Sequence, residues 1–164
     1  MQMRLAKVLA SASIGLMVGI IAFNNITDYG VNLQFVRHVL SMDTIFPDAS
    51  IGYRAIHAPW LQHAAYVLVI AAEAATALLC FVGSWRMWSA RKASPADFRA
   101  AGSTAINGLV VGMVLYVAGF LAIASEWFGM WMSTEWNAQQ ASFQFAMVIL
   151  AGLLLLGQRE ADPD

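Results

Sequence analysis

Charge is scarce in this chain. Asp, Glu, Lys and Arg make up 12% of its 164 residues, about half the roughly 25% usual in soluble domains. With 60% hydrophobic residues and a mean hydropathy of +0.63, that deficit excludes an ordinary water-soluble globule and indicates a membrane protein. Nine Lys and Arg against ten Asp and Glu leave a formal charge of −1, so there is no basic excess to hold a polyanion and no nucleic-acid partner is expected. The single cysteine, Cys80, cannot form an internal disulfide or, alone, a thiolate metal site. The sequence contains neither an HExxH metal motif nor a GxSxG nucleophile elbow. His38, His57 and His63 are not spaced to give two facing haem or metal ligands. A protein that is not an enzyme and carries no cofactor or metal is the expectation.

What the sequence does contain is four apolar runs, 5–26, 60–83, 104–125 and 139–157. Each approaches or meets the ~20 residues needed to cross a hydrocarbon core of about 30 Å. The expected fold is an all-α membrane protein, a single domain over 1–164 built as a four-transmembrane-helix bundle. Between the spans lie an outer loop (27–59), a cytoplasmic loop (84–103), a second outer loop (126–138) and a cytoplasmic tail (158–164). The first span begins like a secretory signal, with Arg4 and Lys7 ahead of Ala10, Ser11 and Ala12. Its apolar run continues past that triplet to Phe23, so it is read as a retained helix.

Lys and Arg concentrate on the cytoplasmic side of membrane proteins. Arg4, Lys7, Arg86, Arg91, Lys92, Arg99 and Arg159 fall before helix 1, between helices 2 and 3, and after helix 4. Only Arg37 and Arg54 lie in the first outer loop. Both termini are therefore expected in the cytoplasm, across an inner (cell) membrane. Trp60, Trp85, Trp88, Trp127, Trp131 and Trp136 all fall near span ends, at the headgroup depth Trp prefers.

The first outer loop carries its own pattern. Over residues 31–42, Val31, Leu33, Phe35, Val36, Val39, Leu40 and Met42 share one arc at helical spacing, with Gln34, Arg37, His38 and Ser41 opposite. This predicts a short amphipathic helix that either caps the bundle or lies on the membrane surface.

Glu73 is the acidic residue nearest a span centre, where a charge costs about 2.5–3.5 kcal/mol even on insertion scales, so it should face protein. His63, Tyr66, Ile70, Glu73 and Ala77 share one helical face, and Tyr116 is the expected partner of Glu73. A proton or ligand site and a protonated carboxyl joining helices both fit. His63 lies roughly 15 Å from Glu73 along the helix, too far for one small ligand to touch both. Nearer the outer side, Asn24, Asn25, Thr27, Asp28, His63, Tyr66, Glu126, Gln140 and Gln144 fit either a polar vestibule or ordinary interhelical hydrogen bonding. Small residues at Ser11, Gly15 and Gly19, and at Gly108, Gly112 and Gly119, permit close helix contact within the chain or between copies.

Asn24-Asn25-Ile26-Thr27-Asp28-Tyr29, with Phe35-Val36 and His38-Val39-Leu40-Ser41-Met42-Asp43-Thr44, resembles an uncharacterised bacterial family of predicted small integral membrane proteins. Arg54-Ala55-Ile56, Tyr66, Glu73, Leu79-Cys80 and Gly83 extend the likeness over most of the chain. It implies four helices and brings no established activity, substrate or cofactor. Within these residues, Asp28, Arg37, His38, Asp43 and Arg54 hold most of the outer loop's charge, and pairing among them is expected to fold the loop onto the bundle.

Three functions fit this pattern. The first is a non-enzymatic accessory or interaction subunit of a membrane assembly, in contact with lipid, a larger complex or further copies of itself. The second is a small proton-coupled transporter or channel using Glu73. The third is a haem- or quinone-binding redox component.

Overall fold

The structure, a computed structural model, describes residues 1–158. Arg159 and the rest of the tail lie outside the described residues.

Helix α1 spans Gln2–Thr27 and turns at Asp28 into α2, Tyr29–Ser41. Asp28 leaves helical geometry at φ −115° and ψ 46°. The backbone bonds Asp28 N–H to Asn24 O and Asn32 N–H to Asp28 O continue across it. The break is thus one residue wide, and α2 starts directly where α1 stops. Helix α3, Pro59–Ser89, opens with Pro59 in its first turn, where the missing N–H is harmless. Helix α4, Pro95–Met113, continues as a π-helix over Val114–Trp127. Helix α5 is Gln139–Gly157. Four helical stretches are long and apolar enough to cross a membrane: Gln2–Thr27, Pro59–Ser89, Pro95–Trp127 and Gln139–Gly157.

The loop expected over 84–103 differs most. Helix α3 runs to Ser89 and α4 already begins at Pro95. Ser94 Oγ accepts from Asp97 N–H at 3.2 Å and donates to the Asp97 carboxylate at 2.7 Å, while Pro95 takes the first helical position. That capping arrangement starts a helix regardless of hydropathy. Hydropathy marks where apolar residues begin, whereas a cap marks where the helix begins.

Helices α1 and α3 pack most extensively, followed by α3 and α4. Gly83 lets the backbone of Ala105 approach so closely that any Cβ at Gly83 would collide with it. Gly15 and Gly19 sit against Cys80 and Ala77 of α3, and Ser11 Oγ donates to Cys80 O at 3.2 Å. Gly108 sits against Leu79, and Gly112 against Thr76 and Ile149. Of the two alternatives for the small-residue stripes, Gly15, Gly19, Gly108 and Gly112 serve contacts inside the chain. Gly119 meets only Leu115 of its own helix. Leu9, Leu16, Leu68, Leu78, Val114 and Leu154 are exposed, as helix faces toward lipid require.

Helix α2 caps one end of the bundle. Its Val39 and the following Met42 join Phe128 and Met130 in a second hydrophobic cluster, with Ile45, Ile51 and Ile56 against it. Met42 and Gly129 hold positive φ, 55° and 67°. Burial of Met42 in the cluster offsets its strained backbone, and a Cβ on Gly129 would press on Ile45 and Ile51 at 3.3 Å. Across the cap, Thr44 Oγ1 donates to Ser133 Oγ at 2.9 Å, Arg54 donates to Trp127 O at 3.1 Å and Ile56 N–H to Leu40 O at 2.7 Å.

The start of α1 and the end of α5 meet at the opposite, terminal end. Lys7 is buried, and its Nζ donates to Gln158 O at 2.6 Å, a cation at the C-terminus of α5 where the helix dipole favours it. Arg4 donates to Arg91 O and Ala93 O, tying down the α3–α4 turn.

Candidate functional site

Glu73 lies in the buried face of α3 with 2% of its surface exposed. Tyr66 and Ala77 are buried on the same face, while His63 and Ile70 are half-buried. The expected inward stripe is present, but Glu73 meets a different partner. Asn25 Nδ2 donates to Glu73 Oε2 at 2.8 Å. Tyr116 OH, buried on the π-helix, has no hydrogen-bond partner among the described residues; it packs against Phe120 and Phe145. The pairing of Glu73 with Tyr116 is therefore corrected to Asn25. The reason is a rotation: where α1 crosses α3, its last turns bring Asn25 over the carboxyl.

From Glu73 the polar contacts run toward the cap. Tyr66 OH donates to Asn25 O at 2.9 Å. The Tyr29 ring lies against Tyr66 with centroids 4.8 Å apart. Tyr29 OH and His63 Nδ1 are 2.9 Å apart, with the rings stacked at 5.8 Å. His63, Tyr29, Tyr66, Asn25 and Glu73 thus form one string from the half-exposed rim into the bundle. Tyr29, not among the expected site residues, links its two halves. Its signal in the sequence is its place at the end of the Asn24-to-Tyr29 string that carries the family resemblance.

The broad vestibule divides. Thr27 Oγ1 bonds back to Phe23 O within α1, and Asn24 and Gln144 are exposed. Glu126 and Gln140 line a separate open groove with Val117, Leu121 and Phe143. A further, apolar cleft of about 130 Å³ lies between α2, α3 and the π-helix, among Phe35, Val39, Val69, Leu115, Phe120 and Phe128.

Of the five charged residues expected to pair at the cap, two do. His38 Nδ1 and Asp43 Oδ2 are 2.8 Å apart, and Trp136 stacks on His38 with centroids 4.4 Å apart. Arg54 lies over the Trp127 ring at 4.4 Å and donates to that residue's carbonyl. Asp28 sits at the junction of α1 and α2, where its carbonyl accepts from Asn32 Nδ2 at 3.1 Å. Arg37 is half-buried on α2. The pairing expected of Asp28, Arg37 and Arg54 is absent among the described residues. Arg54 satisfies its donors on a backbone carbonyl and a ring face, and the hydrophobic cluster holds the loop. Among the described residues no group of three or more His, Cys, Asp or Glu could hold a metal ion.

The model of the family described as "Predicted small integral membrane protein (DUF2165)" matches residues 3–159. The chain belongs to that family. No curated protein and no solved structure matches it. Membership accords with the four spans and with the resemblance carried by residues 24–44 and 54–83. It makes the chain a small integral membrane protein, and Glu73 then lies far from either end of a lipid-embedded helix.

Proposed function

We propose that this protein is a non-enzymatic accessory subunit that joins a larger membrane assembly through its cap. In this reading it lies in the inner membrane of a bacterium, with the cap outside and both termini in the cytoplasm. The observation that supports it is the construction of the cap. Helix α2 and the two cap-end loops form one hydrophobic cluster, yet the cap displays large apolar and aromatic side chains. Tyr53 is 78% exposed, and Phe46 and Trp131, in edge contact at 5.7 Å, are also exposed. An ordered platform that presents aromatics suits protein contact, because rigid aromatic side chains bury much area at little entropic cost.

Purification from native membranes in mild detergent tests this. The expected particle is larger than a monomer, contains a second membrane polypeptide, and loses it in the double variant Tyr53→Ala, Trp131→Ala while the helical content is kept. Repeated elution of wild type as a lone monomer overturns the reading.

A further inference from the structure

We propose that the open groove between the π-helix and α5 binds one phospholipid with a primary-amine headgroup, its ammonium on Glu126 and an acyl chain on Val117, Leu121 and Phe143.

Three observations carry this. First, the groove changes character along its length. Glu126, Gln139 and Gln140 line it at the cap end, where the π-helix stops and α5 starts, and Val117, Leu121 and Phe143 line it further into the spans. Trp127, next to Glu126, marks headgroup depth. The polar part of the groove therefore meets headgroups and the apolar part meets acyl chains, whereas a soluble amine would match only the polar part.

Second, the groove holds a single charge. The Glu126 carboxylate is exposed and has no ion pair or hydrogen bond among the described residues. Its attraction for a cation grows as the local dielectric falls toward the hydrocarbon. A primary ammonium, like that of Lys, brings three N–H donors to the carboxylate, and the side-chain amides of Gln139 and Gln140 can donate to the phosphate. A choline headgroup has no N–H to donate, and a headgroup with a phosphate and no amine would set like charge against Glu126.

Third, the space suits a lipid. The groove measures about 600 Å³, within the range of roughly 300–1,000 Å³ usual for small-ligand sites, and Val117 and Phe143 are 41% and 53% exposed, so a chain can enter sideways from the bilayer. A partner helix fits it less well, because close helix approach in a membrane uses small residues on the contact face and Ala122 is the one small residue lining the groove.

Native mass spectrometry tests this on the full chain, reconstituted in nanodiscs with equal amounts of phosphatidylethanolamine, phosphatidylcholine and phosphatidylglycerol of the same acyl chains and released into mild detergent. Wild type should retain one phosphatidylethanolamine in several-fold excess over either other lipid. Glu126→Gln should lose that excess with its helical content unchanged, and Ala122→Trp, which fills the groove from an exposed position, should lose the retained lipid. Phosphoethanolamine in solution should not displace it. Equal retention of the three lipids by wild type, an undiminished excess in Glu126→Gln, or displacement by the free headgroup overturns the proposal. So does a bound polypeptide, a second copy included, that Ala122→Trp releases in place of lipid. Tyr53 and Trp131 do not line the groove, so each of these failures leaves the reading of the cap standing.

Discussion

The bond from Asn25 to Glu73 joins an amide at the end of α1 to a carboxyl deep in α3. Removing either partner leaves a buried polar group alone, which costs about 1–3 kcal/mol. Asn25→Ala should therefore lower unfolding stability in detergent by that amount. Glu73→Gln, which preserves an acceptor, should lower it less; the two variants compared by thermal unfolding decide the point. Ser125 offers the opposite case. Its hydroxyl is buried in the π-helix with no partner among the described residues, so Ser125→Ala removes an unsatisfied group without opening a large cavity. It should leave stability unchanged or raise it by up to about 1 kcal/mol. The identity of Glu73 as a buried acid was legible from its position in an apolar run. Its partner was not, because Asn25 lies on another helix and its reach depends on how far α1 slides along α3.

Among the elements, the π-helix and the α3–α4 contact set the internal geometry. Phe128 N–H bonds to Ile123 O at 3.0 Å, five residues back, and the wider turn of this hydrogen-bond pattern lets Leu115, Phe120 and Phe128 line one cleft. Hydropathy over 104–125 marks an apolar helix but not its winding, since each hydrophobic side chain accepts either pattern. At Gly83 the backbone of Ala105 fills the space of a side chain, so Gly83→Ala should destabilise by about 1–3 kcal/mol through forced helix separation. Gly30, in α2 with nothing within 4 Å of a built Cβ, is the control. Gly30→Ala should be neutral or stabilising by up to about 1 kcal/mol through helix propensity alone, as read in the same unfolding assay. The amphipathic period of α2 was visible along the chain, and the cap it forms shows the use of that apolar face.

At the scale of the whole molecule, the cap and the terminal end lie on opposite sides of four spans. Native Cys80 is fully buried, so the wild-type chain supplies a low background for labelling. Asp48→Cys on the cap and Lys92→Cys in the α3–α4 turn, both exposed positions, should react with a membrane-impermeant thiol reagent from opposite sides. With the orientation proposed here, Asp48→Cys reacts in intact cells and Lys92→Cys only after permeabilisation. The reverse pattern would invert the topology. The basis is the skew of Lys and Arg, since Arg4, Lys7, Arg86, Arg91, Lys92 and Arg99 gather at the terminal end while Arg37 and Arg54 lie at the cap.

Composition and period determined the class of this protein: too little charge for water, enough apolar length for four crossings, and one helical arc in the first loop. These are properties of consecutive residues, and the bilayer reads them directly as transfer free energy. Tertiary structure alone decided that Asn25 meets Glu73, that Tyr29 bridges His63 and Tyr66, that Arg54 rests on Trp127, and that Gly15, Gly19, Gly108 and Gly112 serve contacts inside the chain. Each of these depends on the rotation and offset of one helix against another, which short-range, close-packed contacts select and no single-helix pattern encodes.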